Sequence, residues 1–305
     1  MLRFTLRQLE HALAIAELGS LAKAAQHLGV AQPSLSASLQ KLEAQLGLQL
    51  FIRHHAQGVT PSPQGLRFLN EARSLIAHGN DFQRDSTVAG MLVEGELTIG
   101  SFSTIAPAYA PKLIAGFQAL HPKARIKLEE GAQGQLLAGL RAGQYDLVLF
   151  YTLDAQDDLK VTELARLKPY VLLNANHNLA KKKLVSLHDL ANEPLILLDI
   201  LPSRTYFTRL LESQGIAPKI SFASPSLELV RGLVGQGLGY SLLITRPHGD
   251  QTYDGEQLAI RPLVEDVEDG VIAIAALKSL RPTRLISTFE EFCVNFFKRV
   301  HPKRT

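Results

Sequence analysis

Apolar residues in the first part of the chain recur at helical spacing and sort into four segments. Leu6, Leu9, Leu13 and Ala16 share one helix face, and Thr5 with Gln8 three residues later forms a capping box at its start. Ser20 stands where an N-cap belongs, ahead of the narrow apolar face Ala24, Ala25 and Leu28. Gly29 supplies a tight turn, and Pro33 falls in the first turn of the next helix, where its missing N–H costs nothing. Leu35, Leu39, Leu42 and Leu46 then make one stripe of an amphipathic helix. Its other face holds Pro33, Ser36, Ala37, Gln40 and Lys41, and such a small, polar outer surface can enter a major groove. Phe51 to Pro61 is polar, contains His54-His55 and Gly58, and predicts a short two-stranded wing. Ser62 caps and Pro63 starts a long helix toward Val88, with Leu66, Leu69, Ala72, Leu75 and Ile76 on one stripe. Gly79-Asn80 and Ala89-Gly90 are its expected hinge and end. A helix of this length without a domain of its own either packs on a partner or simply links two domains.

From Glu94 the period changes. Leu97–Ile99, Ile126–Leu128, Asp146–Phe150, Tyr170–Leu173, Leu195–Leu198, Tyr240–Ile244 and Val271–Ala276 read as strands. Ala108–Leu120, Gln135–Ala142, Arg204–Gln214, Leu227–Gly235 and Thr283–Val300 read as helices between or after them. This alternation implies parallel sheets wound with helices on both faces. A central stretch inserted between two outer segments makes two lobes plausible, and no solenoid period is visible.

The N-terminal segment resembles the DNA-binding domain of the LysR-type transcriptional regulators. The resemblance is carried by Ala24-Ala25 and Leu28, by Gln32-Pro33-Ser34-Leu35-Ser36, and by Leu39, Leu42-Glu43, Leu46-Gly47, Leu50-Phe51 and Arg53. Ser62-Pro63-Gln64-Gly65 continues it into the next helix. At Ala37 the chain departs from the family, which often has an arginine there that supports DNA contact. The resemblance implies an α/β protein overall. It would combine an all-α winged helix-turn-helix (residues 1–61), a long linker and dimerisation helix (62–90) and a bilobed α/β effector domain (91–305) like a periplasmic binding protein. Lobe I would span about 91–163 and 270–305, and lobe II about 164–269. It further implies a homodimer through antiparallel linker helices, a homotetramer by family habit, double-stranded DNA and a small-molecule effector as partners, and possible contact with RNA polymerase.

Composition narrows this picture. The chain has 305 residues, 46% hydrophobic and 20% charged, ample for folded cores and unlike a disordered chain. Residues 1–60 carry five cations (Arg3, Arg7, Lys23, Lys41, Arg53) against Glu10, Glu17 and Glu43, so one copy holds DNA loosely and several are needed for tight binding. Cys293 is the only cysteine, which excludes an intrachain disulfide switch and a cysteine metal cluster; amid Phe289, Phe292, Phe296 and Phe297 it reads as core filler. The N-terminus is an amphipathic helix start and not a signal peptide, and no apolar run approaches a membrane span, so a cytoplasmic protein is expected.

Gln32, able to pair bidentately with adenine, and Pro33 and Ser36 are the candidates for base edges, with Ser34 and Gln40 beside them. Lys41 and Arg53 suit phosphates. Small ligands of open α/β lobes bind beyond strand carboxyl ends, beside helix N-termini. Three places meet that rule: Gly100-Ser101-Phe102-Ser103-Thr104, Gly131-Ala132-Gln133, and Leu201-Pro202-Ser203-Arg204-Thr205-Tyr206. Thr104 and Gln133 match inducer-contacting positions of the family. Arg204 either pairs with an acidic ligand or bridges to Glu212 or Asp199. Ser101, Ser103 and Ser203 contribute hydroxyls or act as caps, and Tyr151 forms one wall. An anionic metabolite is the expected effector, with no cofactor and no metal.

Other motifs lead elsewhere. Gly235-Gln236-Gly237-Leu238-Gly239 follows a helix and precedes a strand, the reverse of a dinucleotide fingerprint. Lys181-Lys182-Lys183 is a solvated run, and His54-His55 lacks further metal ligands nearby. A nucleophile triad or paired-carboxylate context is absent from the sequence, so an enzyme is not expected. The alternatives are a bilobed small-molecule binding protein, which would need a signal peptide, or an α/β enzyme fused to a DNA-binding domain, which would need a catalytic constellation.

Overall fold

The computed structural model describes residues 3–54, 58–85, 93–152 and 157–302. His55, Val88 and Ala89-Gly90 lie outside the described residues. The chain opens with α1 (Leu6–Leu18), α2 (Leu21–His27) and α3 (Gln32–Leu46), then β1 (Phe51–His54) and β2 (Gly58–Pro61), an antiparallel pair with Arg53 opposite Val59. Thr5 and Gln8 form the reciprocal capping box, and Gly19, left-handed at φ 60°, ends α1. Leu9, Ile15, Ala24, Leu35, Leu42 and Leu50 are fully buried and make the core of this domain.

The long helix α4 (Pro63–Asp85) starts against that core, which takes Leu69 and Ala72. Ser62 sets the entry: its hydroxyl accepts from the Gly65 N–H at 2.9 Å and donates to the Gln49 carbonyl at 2.6 Å. Gly65 is needed for close approach, because a Cβ there would stand 2.0 Å from the Leu50 carbonyl oxygen.

The rest of the chain builds two lobes. Lobe I contains β3 (Gly95–Phe102), α5 (Ala106–Leu120), β4 (Ala124–Gly131), α6 (Gln133–Arg141), β5 (Leu147–Thr152) and β6 (Leu159–Leu167). Lobe II follows with β7 (Tyr170–Asn174), β8 (Pro194–Leu198), α7 (Ser203–Ser213), β9 (Lys219–Ser224), α8 (Leu227–Gly235), β10 (Ser241–Leu243) and β11 (Leu258–Pro262). The chain then returns to lobe I as β12 (Gly270–Leu277) and α9 (Arg284–Val300).

The sheets are mixed, which corrects the all-parallel expectation. In the order β4-β3-β5-β12-β6, the first three strands run parallel, but β12 is antiparallel to both neighbours. The physical reason is the return: β12 re-enters from lobe II and meets β5 head to tail. In lobe II, β7 pairs antiparallel with β10 and β11, while β8 and β9 run parallel. Three strands, β6, β9 and β11, escape the sequence reading; β9 carries the short alternation Ile220 and Phe222 but is exposed at every position but Ser224. Since β6 runs on to Leu167, the chain leaves the lobe I sheet later than residue 163.

Lobe I closes on an aromatic layer where Phe117 of α5 meets Phe289 and Phe292 of α9 edge-on, at 5.0 and 5.5 Å. Cys293 is buried in that layer, and burial pushes its thiol well above the usual range. Among the described residues, no helix is long and apolar enough to cross a membrane.

Leu42→Ala removes a fully buried side chain from the N-terminal core and should destabilise it by about 2–5 kcal/mol. Hydrogen exchange checks this directly: protection should drop across residues 6–54 and stay unchanged in lobe II.

Candidate nucleic-acid interface and ligand cleft

The outer face of α3 is presented to solvent by its own leucine stripe. Gln32, Pro33, Ser34, Ala37, Gln40 and Lys41 are exposed, Ser36 is half-buried, and Leu35, Leu39 and Leu42 point inward. Ala31, the N-cap, makes no side-chain cap, so the first-turn amides of α3 face outward where an anion would meet them. Arg53 is exposed on the wing, and His54 Nε2 is hydrogen-bonded to Thr60 Oγ1 across it at 2.8 Å. Thus the structure brings six predicted contact residues onto one helix and the seventh onto the adjacent wing.

Two residues that hold this surface are invisible to a motif reading of contacts. Glu43 Oε1 accepts from the Leu50 and Phe51 amides at 2.7 and 3.3 Å, pinning the wing to α3. His11 Nδ1 hydrogen-bonds Ser38 Oγ at 2.8 Å, pinning α1 to α3. Burial, reinforced by nearby Arg7, holds the His11 imidazole below the usual histidine range. Glu43 belongs to the resemblance but only the fold shows what it holds, and His11 sits on a helix face without a motif, so a long-range pairing alone identifies its role.

A candidate ligand cleft lies between the carboxyl ends of strands in both lobes. Thr104 precedes α5, Ser203 opens α7 and Leu227 opens α8, and all three line one cavity with Tyr151, Phe207 and Thr245. The cavity is small, about 10 Å³, room for roughly one water molecule. Its closure has a visible cause: the Tyr151 hydroxyl at the end of β5 is hydrogen-bonded to Thr245 Oγ1 just after β10, joining the lobes across the cleft. The Tyr170 hydroxyl donates to the Thr245 carbonyl at 3.1 Å and holds that residue in place. Burial pushes the Tyr151 hydroxyl above its ordinary range, so it stays neutral.

The predicted ligand residues divide. Thr104, Tyr151 and Ser203 are buried and line the cavity. Ser101 lies within β3, not after it, and the Ser101 and Ser103 hydroxyls are buried without a hydrogen-bond partner. Gln133 stands beside the cleft with its amide engaged: Nε2 donates to the Tyr151 carbonyl at 2.9 Å and Oε1 accepts from the Tyr151 N–H at 3.1 Å. Arg204 does not line the cavity. Its guanidinium is bound to Asp199 and its side chain is 54% exposed, so of the alternatives open in the sequence, the bridge to Asp199 is the one formed. Thr245 and Leu227 were not singled out as ligand contacts. Both obey the same strand-end and helix-start rule, behind weaker local signals. Among the described residues, no group of three or more His, Cys, Asp or Glu is placed to hold a metal ion.

Comparison with known proteins places these features in one group. The family model "Bacterial regulatory helix-turn-helix protein, lysR family" matches residues 6–66, and "LysR substrate binding domain" matches residues 92–298. The HTH-type transcriptional regulator CfxR of Cupriavidus necator is 31% identical over 254 residues, 83% of this chain and 79% of that protein. The DNA-binding transcriptional dual regulator OxyR of Escherichia coli is 28% identical over 282 residues, 92% of this chain and 87% of its own length. Among solved structures, HinK, a LysR family transcriptional regulator from Pseudomonas aeruginosa, is 40% identical with a TM-score of 0.66, covering 96% of this chain and 99% of that one. Full-length OxyR C199D from Pseudomonas aeruginosa gives a TM-score of 0.76 at 25% identity, over 95% and 98%.

The lowered His11 pKa makes a stability prediction. A histidine depressed on folding contributes stability above its unfolded value near 6.5, and that contribution is lost as pH falls. Unfolding free energy of the N-terminal domain should therefore drop between about pH 7 and pH 5, and His11→Gln should flatten that slope in a parallel denaturation series.

Proposed function

This chain belongs to the LysR family of DNA-binding transcriptional regulators, and we propose that a small anionic metabolite held between its lobes controls how it engages DNA. The observation that carries the reading is the convergence of the α5, α7 and α8 starts on one cavity lined by the Thr104 and Ser203 hydroxyls. Helix N-termini carry partial positive charge, so three of them contributing residues to one cavity favour a carboxylate, although Ser226 already caps the Leu229 amide of α8. No lysine or arginine among the described residues lines that cavity. The charge of the ligand is thus met by helix ends and hydroxyls, and Arg204 acts indirectly by holding Asp199 at the start of the loop into α7.

A cavity of about 10 Å³ cannot admit a metabolite, so binding requires the Tyr151–Thr245 bridge to open and the lobes to part and close again around the ligand. An effector shifts the resting arrangement only through different affinity for the two lobe positions. On the DNA side, Gln32, Pro33, Ser34, Ser36 and Gln40 read base edges while Lys41 and Arg53 hold phosphates. The weakly basic surface favours action as a homodimer or homotetramer, which multiplies few phosphate contacts by several copies. Its role is binding rather than turnover, at DNA in the cytoplasm, and contact with RNA polymerase follows from a regulatory role at promoters.

Two measurements test this. Nuclease footprints on DNA flanking the protein's own gene should show protection over several helical turns, lost in Gln32→Ala/Ser36→Ala. A panel of small mono- and dicarboxylic acids should include one that raises the unfolding temperature of the full chain. Thr104→Val should weaken that acid by about tenfold through loss of a hydrogen bond to a charged group. If only uncharged compounds stabilise the protein, the anionic reading is wrong.

A further inference from the structure

We infer that Asn70 and Arg73 of α4 form a joint that couples the ligand cleft to the DNA-binding domain through α6, a coupling that rests on the ligand-cleft assignment under Proposed function. Four observations place it. First, the Asn70 amide donates to the Arg141 carbonyl at 3.0 Å, and Arg73 Nη1 donates to the Gly143 carbonyl at 2.8 Å. These carbonyls belong to the carboxyl end of α6, where unsatisfied acceptors and negative partial charge attract an amide and a guanidinium. Arg73 Nη1 also reaches Asn70 Oδ1 at 3.3 Å, so the two side chains act as one clamp.

Second, the fit depends on a missing side chain. Gly143 is left-handed at φ 70°, and a Cβ there would stand 1.7 Å from Asn70 Oδ1. Asn70 occupies that space and is only 7% exposed.

Third, the same turn of α4 serves the other domain. Leu69 and Ala72 are buried in the N-terminal core, immediately beside Asn70 and Arg73 in sequence. Any rotation of the α6 end is therefore applied directly to a helix that the winged domain cannot release without exposing Leu69. Open grooves adjoin Asn70 on both sides, between α4 and lobe I. Farther along α4, Asp81 accepts from the Arg284 N–H at the start of α9, a second attachment that acts as a pivot.

Fourth, the opposite end of α6 is fastened to the cleft. Gln133, its first residue, grips both main-chain groups of Tyr151, whose hydroxyl closes the lobes on Thr245. Between the two ends, Leu136 and Leu140 are packed in the lobe I core, so the 9-residue helix, roughly 14 Å long, moves as a rigid rod. Opening the cleft at Tyr151 shifts Gln133, and the rod carries that shift to Asn70 and Arg73.

The test needs neither effector nor DNA, so it stands or falls separately from the acid titration and the footprint. Hydrogen exchange is measured on the full chain for wild type, Asn70→Ala/Arg73→Ala and Gln133→Ala. Breaking the joint should raise exchange at the Tyr151 amide, at the far end of α6, by about tenfold. Breaking the Gln133 grip should in return raise exchange across residues 69–76 of α4. Arg73→Lys, which keeps one donor for the Gly143 carbonyl, should restore most of the protection at Tyr151. Gly143→Ala offers an independent break from the other side, with the same far-end effect expected. Changes confined to the mutated end, in either direction, would overturn the coupling and leave Asn70 and Arg73 as local packing.

Discussion

Everything this molecule can do depends on one turn of the linker helix that belongs to two cores at once. Leu69 and Ala72 complete the hydrophobic core of the winged domain, while Asn70 and Arg73 satisfy carbonyls at the end of α6 in lobe I. Hydrophobic burial on one face and directional hydrogen bonds on the next face have different consequences. The first makes α4 inseparable from the DNA-binding domain, since removing Leu69 from its core exposes a full side chain. The second makes its hold on lobe I geometrically specific but modest in free energy, about 1 kcal/mol per bond. A strong attachment beside a weak, oriented one is a suitable arrangement for a regulator, because the weak contact is the one that conformational change can alter.

The cleft is built on a similarly weak and oriented contact. At the cavity its two lobes are joined by a hydroxyl–hydroxyl bond between Tyr151 and Thr245, and no charged side chain among the described residues lines it. A neutral bridge of this kind exchanges readily for ligand hydroxyl or carboxylate oxygens, whereas breaking a buried ion pair would leave an uncompensated charge. The Ser101 and Ser103 hydroxyls, in and just after β3, are buried without a hydrogen-bond partner and do not line the cavity. Arg204 lies outside the cavity on Asp199, and no charged side chain among the described residues lines that space.

Much of this organisation was legible in the chain. The leucine stripe of α3, the Thr5–Gln8 capping box, the Ser62 entry to α4 and the alternation after Glu94 are local signals, each produced by a spacing or a backbone requirement that acts within a few residues. For that reason Thr104, Tyr151 and Ser203 could be chosen from their positions at strand ends and helix starts, and the structure brings them together. The edge strand β9 carries only the brief alternation Ile220 and Phe222, too short to stand out from the loop around it. Arg204 was ambiguous because a guanidinium after a strand suits a ligand and an aspartate equally well, and only the position of Asp199 distinguishes them.

By itself, then, the sequence determined the helix-turn-helix, its wing, the linker helix and the α/β character of the two lobes, since these depend on periodicity, capping and turn residues. Tertiary structure alone decided the antiparallel insertion of β12, the small volume of the closed cleft, and the meeting of Gly143 with Asn70. Those features join residues far apart in the chain, and their geometry is set by how whole elements pack. A glycine at position 143 reads locally as a helix end, and only when α4 lies against it does the space it leaves open acquire a purpose.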